Sequence, residues 1–284
     1  MAADAPAPGR PMPPQDDSAA VAPGPGPLVG IDAGRLAVEI APGAGGRIAQ
    51  IRHDGGDLLV GYGEHGTDPI AWGCYPMVPW AGRIRGGRFA FETREYRLPV
   101  DADGHAVHGV GYAMPWRMDR HGPTLAELSV QLPADARWPF GGAARQRIEV
   151  GVDRLRMRLS VSAGVLAMPA AIGWHPWFRK PDRLDFSPVA MYPRDADGIA
   201  TAPPRAPAPG PWDDCFLNHE PVLLRLHGRT LRLTSGCEHW VVYDAAAHAT
   251  CVEPQTGPPD AFNLAPQRLA PGASLDAWFL IEWL

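Results

Sequence analysis

The chain predicts an all-β fold, a large antiparallel β-sandwich, on three observations. Its apolar residues recur with period two, its strand-like runs are short, and 33 prolines and 32 glycines punctuate them. Leu36, Val38 and Ile40 alternate with Arg35, Ala37 and Glu39. Leu155, Met157, Leu159 and Val161 alternate with Arg154, Arg156, Arg158 and Ser160. Such alternation, with one polar face, marks an antiparallel strand that is wet on one side. Further strands are expected at 46–52, 125–132, 145–152, 222–226, 230–234, 240–243 and 275–283. No amphipathic pattern persists for twelve residues, because Gly and Pro interrupt every attempt. Many short strands without helices between them favour a sandwich or barrel over βαβ units.

At 284 residues the chain can bury a full core, and one domain is expected over 28–284. Residues 1–27 hold eight prolines and no apolar run of the secretory type. That stretch is expected to be a disordered Pro/Ala/Gly-rich tail, and its composition points to a cytoplasmic location. The net charge of −5 argues against a nucleic-acid partner. No apolar run approaches the roughly 20 residues of a membrane helix. Cys74, Cys215, Cys237 and Cys251 show no C-x-x-C spacing and are expected as buried thiols. Residues 201–211, with five prolines, read as a stiff loop leading to Trp212-Asp213-Asp214. Lys180 is the only lysine.

Three segments carry candidate chemistry. Residues 251–263, Cys-Val-Glu-Pro-Gln-Thr-Gly-Pro-Pro-Asp-Ala-Phe-Asn, are expected as a rigid, non-helical loop that presents Glu253. The others are Val107-His108-Gly109 and Gly173-Trp-His175-Pro-Trp-Phe178. One carboxylate, two imidazoles and a set of tryptophans suit proton transfer on a sugar. Burial raises a carboxylate toward the pKa of a useful base, and a histidine donates near neutrality with little tuning. Each residue also has a plain structural role open to it: His175 as a hydrogen-bonded core residue, Arg83 beside Arg85 and Arg88 as a solvated strand end. Other chemistries stay open at this level. Asp213 and Glu253 could be the two carboxylates of a glycoside hydrolase, roughly 5 to 9.5 Å apart, which leaves the histidines without a role. A non-catalytic sugar-binding module would need no acid–base pair. His108, His175 and Glu253 are a known zinc ligand set, although no local H-E-x-x-H pattern supports it.

In order along the chain, Pro76-Met-Val-Pro-Trp-Ala-Gly-Arg83-Ile, Val107-His108-Gly109, Gly173-Trp-His175-Pro-Trp-Phe178, Asp213-Asp-Cys-Phe216 and Glu253-Pro-Gln…Pro259-Asp-Ala-Phe-Asn263 resemble the aldose 1-epimerase (galactose mutarotase-like) family. The resemblance spans roughly residues 30 to 284. It implies a galactose mutarotase-like supersandwich that interconverts the α and β anomers of a free aldose, with a small-molecule sugar as its partner and neither cofactor nor metal. By resemblance Glu253 is the general base, His175 the general acid, and His108 a second histidine near the ring oxygen. Arg83 and Asp213 match residues that fix sugar hydroxyls, Asp213 rather than Asp214 because the pattern is Asp-x-x-aromatic. Trp174, Trp177 and Phe178 can offer apolar faces to a pyranose. Two positions depart from the pattern: Gly82 stands where many relatives have Asn, and Arg179-Lys180 where many have Asn-Leu. Two cations there would suit an anionic sugar, and a charged turn is the plainer role.

Overall fold

A computed structural model describes residues 24–284. The tail expected at 1–27 lies outside them up to residue 23. Two antiparallel sheets make the body of the molecule. The larger has ten strands; its main path runs Val29–Asp32, Leu36–Ala41, Arg47–His53, Cys74–Met77, Gly173–Arg179, Ala249–Gln255, His239–Tyr243, Asp213–Leu217 and Ala190–Tyr192. The smaller has eight, with Ala143–Gly151, Arg154–Ser162 and Ser274–Trp283 at its middle. Among the described residues the one α-helical segment is Ala261–Leu264, and no helix is long and apolar enough to cross a membrane. Each alternating run expected from the sequence is a strand; 154–161, for example, lies within Arg154–Ser162 with every second residue buried.

The core forms where the inner faces meet. Trp174 packs 6.0 Å from Phe279 across the sandwich, Trp240 approaches the same ring at 6.1 Å, and the Trp174 indole donates to Gln146 Oε1 at 3.0 Å. Trp174 and Phe178 are wholly buried in this core. They therefore offer no face to a ligand, contrary to the expectation above. The four cysteines are buried thiols, as expected.

Period two also decides what the opposite face presents. On Gly173–Arg179, residues 174 and 178 point into the core, so His175 and Trp177 point away from it. The strand Ala249–Gln255 behaves likewise: Val252 joins the core, and Glu253 turns outward. Glu253 is thus on a strand, not on the rigid loop expected at 251–263, and the end of that stretch forms the helical turn Ala261–Leu264. Pro254 did not prevent pairing, because residues 240 and 254 lie opposite each other without needing its missing N–H.

A tight turn aims His108. The short strands Arg83–Ile84 and Ala106–Val107 pair, after which His108 adopts φ 57° and Gly109 φ 79°. A Cβ on Gly109 would lie 2.0 Å from the Val78 carbonyl oxygen. Left-handed backbone alone costs an L-residue about 1–2 kcal/mol. Gly109→Ala should therefore lower the melting temperature by several degrees in a thermal scan; an unchanged melting point would show that the turn relaxes freely.

Candidate active site

Cross-strand register assembles the site in rows. The pairs Gly173–Gln255 and Trp177–Cys251 set His175 opposite Glu253, while Tyr75 pairs His175 from the other side. Glu253 in turn faces Val241, and Val241 faces Cys215. One register step away, Trp177, Cys251, Tyr243 and Asp213 form a second row. Facing partners share a sheet face, so both rows look out of the sandwich. Loops close over them to leave a cavity of about 300 Å³ lined by Arg83, His108, His175, Trp177, Asp213 and Glu253, among others. All six residues singled out from the sequence meet here. A larger hollow, about 1180 Å³, lies over the outer face of the other sheet among Arg117, Arg158 and Trp278; it contains no histidine and no buried carboxylate.

The central contact joins His175 Nε2 to Glu253 Oε1 at 3.2 Å, with both side chains buried. Glu253 Oε2 accepts a hydrogen bond from Gln255 Nε2 at 3.1 Å. Burial pushes the Glu253 carboxyl well above its ordinary range, and nearby Asp213 adds to the rise against the pull of Gln255 and Arg83. Burial likewise holds His175 well below its ordinary value, helped by His108, Arg47 and Arg83. Burial thus drives both groups toward their uncharged forms. The imidazole is flanked by Tyr75, stacked at 4.9 Å, and Trp177, stacked at 5.4 Å. His108 meets it edge-on at 5.0 Å, its own pKa pushed down to about 3 by burial and by Arg83. Nδ1 of both histidines is buried and has no hydrogen-bond partner among the described residues.

Asp213 is held by Arg194 at 2.8 Å, which also reaches Asp214 at 3.1 Å. Burial raises the Asp213 carboxyl, and Arg194 and Arg83 oppose the rise. Arg83 has no side-chain hydrogen bond or ion pair within the described residues. Its guanidinium is the free cation of the cavity, suited to hydroxyl or ring oxygens. The Trp177 indole donates to Ile70 O at 2.8 Å, which fixes the ring over the cavity. Gly82, at φ 67°, packs against Pro259, and a Cβ there would come within 2.8 Å of it. That close approach leaves no room for a side chain at position 82 beside Pro259.

The sequence did not disclose Arg47, Tyr75 and Arg194. Arg47 is buried and donates to the carbonyls of Ala44 (2.6 Å), Pro69 (2.7 Å), Trp72 (3.1 Å) and Tyr112 (3.1 Å). Its guanidinium also lies 5.1 Å from the Tyr75 ring, and burial lowers its pKa to about 10. The one available signal was an arginine directly after Gly45-Gly46 at the head of an apolar strand. The two cations that would have suited an anionic sugar are engaged elsewhere, as the plainer structural role implied: Arg179 binds Glu64 at 2.8 Å, and Lys180 donates to the carbonyls of Asp244 and Ala246. Among the described residues, the group whose donor atoms converge within 4.8 Å is His175, Cys251 and Glu253, not the triple that includes His108. Burial keeps the Cys251 thiol protonated, a poor state for a metal ligand.

The chain belongs to the aldose 1-epimerase family, which its residues 27–190 match. A stretch of 108 residues is 32% identical to YphB of Escherichia coli K12, over 37% of this chain and 36% of that protein. The match thus spans about a third of that curated relative. A galactose mutarotase-like protein of Clostridium acetobutylicum superposes with a TM-score of 0.80 at 16% identity, over 90% of this chain and 95% of its own. An aldose epimerase homologue of C. elegans does so with a TM-score of 0.78 at 16% identity, over 91% and 98%. These two likenesses show a shared fold. The family match takes in Arg83, His108, His175 and Trp177; Asp213 and Glu253 lie beyond it.

Burying Glu253 has a cost with a definite sign. Its folded pKa lies well above the ordinary 4.5, so the penalty on the ionised form is absent below 4.5 and grows as pH rises through the folded value. Glu253→Gln removes the penalty. The variant should melt above wild type at pH 8, with the difference shrinking toward pH 4; a variant less stable at pH 8 would contradict the assigned direction.

Proposed function

We propose that this protein is an aldose 1-epimerase, an isomerase that interconverts the α and β anomers of a free aldose. The observation that carries the reading is the buried contact between His175 Nε2 and Glu253 Oε1 at the floor of a sugar-sized cavity. Ring opening moves a proton from the anomeric hydroxyl to the ring oxygen as the C1–O5 bond breaks. Glu253 takes the first proton while His175 delivers the second to O5. In this step the pair passes from carboxylate and imidazolium to carboxylic acid and imidazole, the uncharged forms that burial favours, with one proton in all. After rotation about C1–C2, the same transfers run backward and close the ring with either configuration.

The surrounding groups fit this task. Arg83 favours the ionised carboxylate that must act as base, and Asp213, anchored by Arg194, can accept from ring hydroxyls. His108 lies beside His175 within reach of the ring oxygen's neighbourhood, and Trp177 provides an apolar wall for a C–H face. Proton transfer of this kind calls for neither metal nor cofactor. We place the reaction in the cytoplasm on the composition of the chain.

Fresh α-aldoses should equilibrate faster with protein than without, when followed by polarimetry. A methyl glycoside should be inert, because it has no anomeric proton for Glu253 to remove. Glu253→Gln should lower kcat by about 10²–10⁴, as expected for lost general base catalysis. The kcat/KM profile should be bell-shaped, since activity fails when the pair gains a second proton and when it loses its only one. Release of reducing sugar from glycosides without anomer exchange would favour the hydrolase instead.

A further inference from the structure

The outer face of the smaller sheet carries a charge pattern that folding alone does not call for. Cross-strand register sets Arg158 directly opposite Arg147. Like charges in that relation destabilise a sheet. Arg147 is neutralised by Glu127 and, at 2.8 Å, by Glu149. Arg158 is exposed and has no hydrogen bond or ion pair among the described residues, and the same holds for Arg156 and Arg145. Glu149 faces Arg156 in register yet gives its carboxylate to Arg147. A local rule broken without compensation marks a place where function competes with stability.

An apolar row runs beside these cations. Arg158 faces Trp278 and Arg156 faces Leu280 on the neighbouring strand Ser274–Trp283. Trp278 is 42% exposed, a large apolar surface left to solvent. Same-face side chains recur about every 6.8 Å along a strand, and adjacent strands lie about 4.8 Å apart. The face therefore holds two combs of equal pitch in register, one cationic and one apolar. Both line the hollow of about 1180 Å³ on this face. Arg145, opposite Ser160, carries the cationic comb one step further on the next strand.

An extended polypeptide has this same pitch. When its residues alternate acidic and apolar, its carboxylates reach Arg156 and Arg158 on one side. Its apolar side chains then meet Leu280 and Trp278 on the other. Asp276 is exposed and, among the described residues, unpaired, so it can accept a peptide N–H. A phosphate polymer offers Asp276 no backbone donor, and Asp119 and Glu127 in the same lining repel it. A second copy of the face fits no better: five arginines against three carboxylates line the hollow, so two such faces repel.

We propose that this face is a docking groove for an extended polypeptide segment in which acidic and apolar residues alternate. It lies on the sheet opposite the sugar cavity and does not depend on the reaction proposed there.

The test is fluorescence anisotropy of short labelled peptides titrated with the full chain at low salt. A peptide alternating glutamate with leucine should bind at least about tenfold tighter than one of equal composition with the two residues in separate blocks. Its affinity should fall as salt is raised, because the contacts are exposed. The double change Arg156→Glu and Arg158→Glu should weaken binding at least about tenfold. Its Tm should hold or rise, since the opposition of Arg147 and Arg158 is gone. Trp278→Ala should weaken binding of the alternating peptide several-fold. Equal affinity for the two arrangements, no binding by either, or full binding by Trp278→Ala overturns the proposal. Tighter binding of a single-stranded oligonucleotide overturns it in favour of a polyanion site. Self-association that Arg158→Glu abolishes overturns it in favour of a second copy.

Discussion

A carboxyl and an imidazole buried in contact can share one proton at little cost, whereas a lone charge in the same place would be expensive. This constraint organises the face of the larger sheet. Glu253 and His175 need rigid, adjacent supports, which neighbouring strands in fixed register provide. They need cover from water, which Tyr75, Trp177 and the turn at His108 supply. They also need cations close enough to favour ionisation without neutralising the carboxylate by direct pairing. Arg83 meets that condition because, among the described residues, no other side chain pairs with it, while Arg194 is spent on Asp213 and Asp214.

Strands that are wet on one face were legible, because solvent and core impose opposite demands on alternate residues. Leu155 to Val161 illustrates this: burial alternates residue by residue along the strand. The strands that carry the site were not legible as strands. Gly173–Arg179 is covered by core on one side and by the walled cavity on the other, so its first four residues and residue 178 are all buried and no polar alternation survives. Ala249–Gln255 is buried at every position and also holds a proline, which reads as a loop. The site's residue types were legible through their motif order. Their functional distinction by facing was not: Trp174 and Trp177 look equivalent in a string of aromatics, and the register alone sends one into the core and the other to the cavity.

Arg47 shows a different limit. A single arginine beside two glycines carries no sign that it will be wrapped by four carbonyl groups from distant parts of the chain. The segments that supply them, around residues 44, 69–72 and 112, form the bed under Tyr75, and Tyr75 stacks on His175. Among the described residues no carboxylate pairs with the guanidinium directly, so it projects positive potential beneath the cavity and disfavours protonation of the imidazole. A residue outside the cavity lining thereby influences both the shape and the charge of its floor.

The scarcity of amines has a consequence for the chain's own chemical survival. An aldose with its ring open exposes an aldehyde, and aldehydes condense with free amines to give Schiff bases. This protein has one lysine in 284 residues, and the Lys180 ammonium is occupied by the carbonyls of Asp244 and Ala246. Arginine carries the remaining side-chain positive charge apart from histidine, and its guanidinium stays protonated and poorly nucleophilic at neutral pH. The side chains lining the cavity include no lysine. The cavity lining would thus offer an aldehyde hydrogen-bond donors and no lysine amine.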